Sequence, residues 1–119
     1  MEILIPGIDV QKGLELYDDD EDIYLTILHS YASNTPTILK KMHTVTADTL
    51  PDYAVVVHGV KGSSAAIGAE KTREDALKLE ELAKAGDLAG VLALNETFLQ
   101  HTDALVNGIQ SWLDQHDPG

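Results

Sequence analysis

The sequence predicts an all-α protein: an antiparallel four-helix bundle with a short extra helix at its N-terminal end. Three observations carry this prediction. Apolar residues recur with the 3.6-residue period of a helix along most of the chain, and strand-like alternation is scarce. Caps and helix breakers fall between the periodic stretches at regular intervals. The last stretch keeps a 3-4 apolar repeat for about eight turns, and only packing against other helices hides a stripe that long.

Taken in order, Pro6-Gly7 ends a short apolar lead, and Asp9 caps a first helix running to about Leu16. Residues 18–22 are Asp, Asp, Asp, Glu and Asp. They read as caps suited to the positive end of the next helix; the spaced oxygen ligands and central Gly of an EF-hand loop are missing. The second helix reads from about Asp20 to Val45 on the stripe Tyr24, Ile27, Leu28, Tyr31, Ile38, Met42 and Val45. Pro36 is expected to kink it or divide it near Asn34. Thr49, Pro51 and Asp52 mark the next start: a Thr cap, an early Pro and an acid three residues on. The third helix spans about Leu50 to Ile67, with Gly68 at its end. The fourth runs from about Glu70 to Ala85; Gly86 stops it and Asp87 caps the fifth, which runs from about Leu88 to Gln115. Asn95 and Thr102 interrupt the apolar stripe of this last helix and are expected to fix register or bond within the bundle. Short connections make neighbouring helices antiparallel.

Composition narrows the chemistry. A length of 119 residues fits one domain spanning 1–119. With 20 acidic against 8 basic residues the formal charge is -12, which argues against non-specific nucleic-acid binding and against an anionic membrane surface. No cysteine is present, so disulfides, thiolate metal sites and thiol nucleophiles are excluded. The apolar runs are too short for a membrane span, and the first residues lack the basic start of a signal peptide; a cytoplasmic location is expected. Neither GxxxxGK[ST] nor GxGxxG occurs, and Gly59-Val60-Lys61-Gly62-Ser63-Ser64 has its Lys in the wrong place for a phosphate-cradling loop. His29, His43, His101 and His116 are scattered without metal-site spacing, and each reads as a surface or partly buried residue. Asn95-Glu96-Thr97 matches a glycosylation triplet, but it falls inside a helix.

The third helix has two readable faces. Leu50, Tyr53, Val57, Val60, Ser64 and Ile67 form its buried seam. His58 points off that seam, and its helix-face neighbours are Ala54, Lys61, Gly62 and Ala65. Gly59 and Gly62 each cost a helix about 1 kcal/mol relative to Ala, so a plain bundle member would not use them. Small side chains around an imidazole let another surface approach the ring, and Lys61 supplies positive charge where an anion would sit. Spacing alone leaves two readings: an ordinary polar surface histidine, or a nucleophile presented to a protein partner that carries an anionic group.

The string His58-Gly59-Val60-Lys61-Gly62-Ser63-Ser64-Ala65-Ala66-Ile67-Gly68-Ala69 closely resembles the signature of the histidine-containing phosphotransfer (HPt) domain. The similarity extends to Leu79-Glu80 and Ala85-Gly86-Asp87, and to the lead-in Pro6-Gly7-Ile8-Asp9 with Gly13-Leu14, so it covers nearly the whole chain. Val60 stands where the family usually has Leu, and Gly59 where a larger residue is frequent. The resemblance implies a phosphocarrier and not a self-contained enzyme. His58 would accept a phosphoryl group from the aspartyl-phosphate of a response-regulator receiver domain and donate it to another receiver aspartate. Lys61 would stabilise the phosphoryl oxygens and the docked complex, and Ala54, Gly62 and Ala65 would line the docking face. No cofactor is implied on this chain; Mg2+ is expected on the receiver. A hybrid sensor histidine kinase is a further partner the resemblance suggests, and a monomer is the expected state. The competing expectation is a helical adaptor that binds or sequesters a receiver without being phosphorylated. Presence of both His58 and Lys61 favours the carrier.

Overall fold

Among residues 2–118, which the computed structural model describes, every regular element is helical. The elements are α1 (Val10–Glu15), α2 (Glu21–Lys40), α3 (Leu50–Ile67), α4 (Glu70–Lys84) and α5 (Leu88–His116). Three of them start on an aspartate that takes a free backbone N–H: Asp9 accepts from Lys12 at 3.1 Å, Asp20 from Ile23 at 3.2 Å and Asp87 from Gly90 at 2.8 Å. The acidic run does what a capping segment should. Asp18 and Asp19 take left-handed backbone angles, φ 54° and 62°, to make the turn, and Asp20 opens α2.

Two expectations about α2 are corrected. Pro36 does not divide it: the helix continues to Lys40, because Tyr31, Thr35 and Leu39 on either side of the proline are all buried on one face and packing offsets the hydrogen bond the proline cannot donate. It then stops short of Val45. The Lys41 and Met42 N–H groups turn to the carbonyls three residues back, both at 3.0 Å, and the Met42 carbonyl accepts from the Asn95 side chain at 2.8 Å instead of from a further helical turn. Met42 and Val45 stay buried, but in an irregular connection. A third correction concerns Thr49. It occupies the N-cap position of α3, yet its hydroxyl faces backwards, accepting from the Thr46 N–H at 2.8 Å and capping nothing in the helix.

The core runs the length of a bundle measuring 46 × 24 × 18 Å. At one end Ile3 and Ile5 of the lead segment pack with Tyr24, Leu28, Ile67, Ile109 and Leu113. At the other, Met42, Tyr53, Val57, Leu79, Val91 and Phe98 form a second cluster. The seam read for α3 is buried at every position. Polar bonds then set its rotation and height. The Tyr17 and Tyr24 hydroxyls donate to the carbonyls of Ala66 and Ile67, each at 2.7 Å, and the Tyr31 hydroxyl lies 3.0 Å from Ser64 Oγ. Tyr53 donates to Asn95 Oδ1 at 2.7 Å, so Asn95 joins α5 to α3 and to the end of α2. Thr102 bonds only the Phe98 carbonyl of its own helix. Gly68 ends α3 at φ 81°, with the Ala69 N–H on the Ser64 carbonyl at 2.9 Å, and its own carbonyl accepts from the Asp9 N–H at 2.9 Å. That bond seats α1 against the end of α3. No helix of the described residues is long and apolar enough to cross a membrane.

Candidate functional site

The immediate return of the chain at Gly68-Ala69 lays α4 back along α3, and the two helices are the most extensively packed pair. The buried line of α4 is Ala76, Leu79, Glu80 and Ala83. An acid on that line is the anomaly of the fold, since an unpaired buried carboxylate is expensive. Glu80 is 2% exposed, and it is not unpaired. Its Oε1 accepts from Lys61 Nζ at 2.7 Å; its Oε2 accepts from His58 Nδ1 at 2.6 Å and lies 3.1 Å from Lys84 Nζ. The Lys61 bond is the largest influence holding the Glu80 carboxyl down at about 2; burial opposes it, and the Lys84 and His58 contacts add to the lowering.

An ionised carboxylate only accepts hydrogen bonds, so the proton of the neutral His58 ring sits on Nδ1. Nε2 then keeps its lone pair and has no protein partner among the described residues. The ring remains 63% exposed. α3 therefore supplies an outward histidine, and α4 supplies the group that sets its tautomer and holds its plane.

The other residues of the predicted site are distributed as follows. Gly62 and Gly59 are exposed, and a methyl added to either would meet nothing within 4 Å. Ala65 is half-buried. Lys61 lies on the His58 side of α3 as expected, but its ammonium is drawn in to Glu80. Ala54 is a correction: it is buried, not part of an exposed face. The reason is that α3 is covered by α4 beyond its central seam, and position 54 falls on the α4 side. Its methyl forms the floor of a groove whose other walls include Pro51, Val55, Ala83 and Lys84, beside His58. Val55 is the exposed apolar residue there, at 73%. Ser63 and Ser64, given no chemistry from the sequence, bond the Val60 carbonyl and the Tyr31 hydroxyl.

Sequence reasoning missed Glu80 as a site residue, although a signal existed: it falls in register with Ala76, Leu79 and Ala83, where a charge needs a partner. Val55 had no such signal. Of the remaining histidines, His29 pairs with Asp117 at 3.0 Å, His116 stacks on Trp112, and His43 and His101 are exposed. Among the described residues no group of three or more His, Asp or Glu side chains could hold a metal ion.

The Glu80 cluster has a pH signature. A carboxyl held below its ordinary value of 4.5 contributes stability above that pH and loses it as pH falls toward 2. The contribution is on the order of 3 kcal/mol. Urea unfolding of the wild type and Glu80→Gln between pH 6 and pH 2.5 checks it. The stability gap should be widest above pH 5 and narrow steadily below it; a gap independent of pH would sink the ion-cluster account.

A family model described as the Hpt domain matches residues 26–112, which include the whole of α3, α4 and the His58 cluster. No curated protein and no solved structure matches the chain.

Proposed function

The chain belongs to the Hpt domain family, whose role is histidine phosphotransfer in two-component signalling, and from that premise we propose that it is a phosphorelay intermediate working through His58. The phosphoryl group arrives from an aspartyl-phosphate of a response-regulator receiver domain and leaves to the aspartate of another. The observation that carries this reading is the His58 Nδ1 bond to Glu80, which leaves Nε2 as the free nucleophile on an exposed ring.

The step balances without a cofactor on this chain. The Nε2 lone pair attacks phosphorus, the P–O bond to the receiver carboxyl breaks, and that carboxylate departs with the electron pair. The proton stays on Nδ1, so the ring becomes a phosphoimidazolium whose positive charge faces the Glu80 carboxylate. In-line positioning and charge neutralisation carry the catalysis, with Lys61 meeting the phosphoryl oxygens. Mg2+ belongs to the acidic pocket of the receiver; the carboxylate beside His58 already has its oxygens engaged by three nitrogen groups. The carrier works as a monomer in the cytoplasm, its receivers free or joined to a hybrid sensor histidine kinase.

Incubation with an acyl-phosphorylated receiver tests the reading. Acid-labile, base-stable label on His58 is expected. Stable complex formation without label would replace it with the adaptor reading. Docking is testable separately. Gly62→Ala should raise stability by up to about 1 kcal/mol, because the added methyl meets nothing and suits a helix. Gly62→Gln should leave the fold intact yet weaken receiver binding about tenfold or more, since a long side chain then stands one turn from the ring. Equal binding by both variants in titration calorimetry would remove Gly62 from the docking face.

A further inference from the structure

Two lysines converge on one buried carboxylate, and the phosphotransfer reading needs one of them elsewhere. Lys61 and His58 are three residues apart on α3 and share a face, so Lys61 is the ammonium that reaches a phosphoryl group on Nε2. In the resting protein it is 2.7 Å from Glu80 Oε1. It serves the phosphoryl group only by giving up that bond. A carboxylate with its side chain 3% exposed does not tolerate losing its cations, because an uncompensated buried charge is strongly destabilising. Lys84 changes this. It sits on α4 four residues after Glu80, its Nζ is 3.1 Å from Oε2, and its own side chain is largely in solvent. Its place four residues on along the same helix keeps it within reach of Glu80 whichever way Lys61 turns.

We propose that Lys84 is a positioning residue for phosphoryl transfer: the resident counter-ion of Glu80 that frees Lys61 to meet the incoming phosphoryl group. The proposal rests on His58 as the acceptor and adds a division of labour between the two lysines. Charge supports it. With the ring in the neutral form that nucleophilic attack requires, two ammonium groups against one carboxylate leave one positive charge in excess, and the arriving phosphoryl group adds one net negative charge. The cluster is thus neutral after transfer with both lysines and carries a deficit of positive charge without Lys84. A simpler role exists, since a lysine in the last turn of α4 also suits the negative end of the helix. That role affects stability alone.

Phosphoramidate separates the two roles and needs no protein donor: the neutral ring attacks phosphorus, the P–N bond breaks, ammonia leaves and the Nδ1 proton stays in place. Labelling of His58 is followed by site-resolved mass spectrometry. Lys84→Gln should slow it about fivefold, Lys84→Arg should restore it, and in a Glu80→Gln background Lys84→Gln should have no further effect, because an uncharged amide holds Lys61 only weakly and leaves no charge for Lys84 to offset. In 15N spectra the Lys61 ammonium of Lys84→Gln should exchange its protons more slowly, being held more tightly on Glu80. An unchanged labelling rate in Lys84→Gln overturns the proposal. So does equal slowing in the Glu80→Gln background, which would mean that Lys84 acts directly and not through Glu80. Failure of the phosphorelay reading is distinct: His58 would then follow this pattern with phosphoramidate yet take no label from a phosphorylated receiver.

Discussion

His58→Gln is expected to reduce phosphoryl acceptance from an acyl-phosphorylated receiver to background, at least about a thousandfold below wild type, because no other group at the site replaces the lost nucleophile. The fold should survive. The ring is mostly in solvent, and Glu80 keeps both lysines when the imidazole is gone. Thermal unfolding should therefore stay within about 1 kcal/mol of wild type. The two measurements together make the test sharp, since loss of label in an unfolded variant would say nothing about chemistry. Label at wild-type level on the variant would refute the assignment. So would label mapped to the exposed His43 or His101.

Gly68→Ala should produce the largest loss of stability, about 3 kcal/mol or more, with a fall in Tm of about 10 °C or more. Two effects combine. Position 68 has φ 81°, a conformation that costs a side chain about 1 kcal/mol or more. A methyl there would also overlap the Asp9 carbonyl oxygen, which is backbone and cannot swing aside. Relief requires α1 to leave the end of α3, breaking the Asp9 N–H bond to the Gly68 carbonyl and loosening the lead segment. Gly86→Ala is the internal control. Its φ is 74°, but an added methyl meets nothing within 4 Å, so only the backbone penalty applies. Equal destabilisation by the two variants, read by calorimetry, would show that the α1 contact contributes nothing.

Much of the helix order is local information, and that is why it was legible. Asp9, Asp20, Gly68 and Asp87 act on backbone groups within a few residues of themselves, and each does in the structure what its type implies. The errors occur where a distant residue intervenes. Asn95 takes the Met42 carbonyl across the bundle and helps to end α2 early. Buried neighbours carry the helix on past Pro36 without a break. Spacing along α3 alone carries no information about the cover that α4 places over Ala54.

The same division holds at the site. His58, Lys61 and Gly62 stand on one helical surface because of their spacing, and period alone puts the imidazole outward with small neighbours. Everything that makes that imidazole a defined nucleophile comes from α4. Glu80 is 22 positions away from His58, and spacing along one helix says nothing about a group on another. The close α3–α4 pairing brings the carboxylate within 2.6 Å of Nδ1, fixes the proton there, turns Lys61 inward and adds Lys84 as a second cation. Local sequence thus specified the helix, its outward residue and the open surface beside it. Packing specified the ionised partner and the tautomer, because a buried charge acquires its meaning only from the groups that surround it in space.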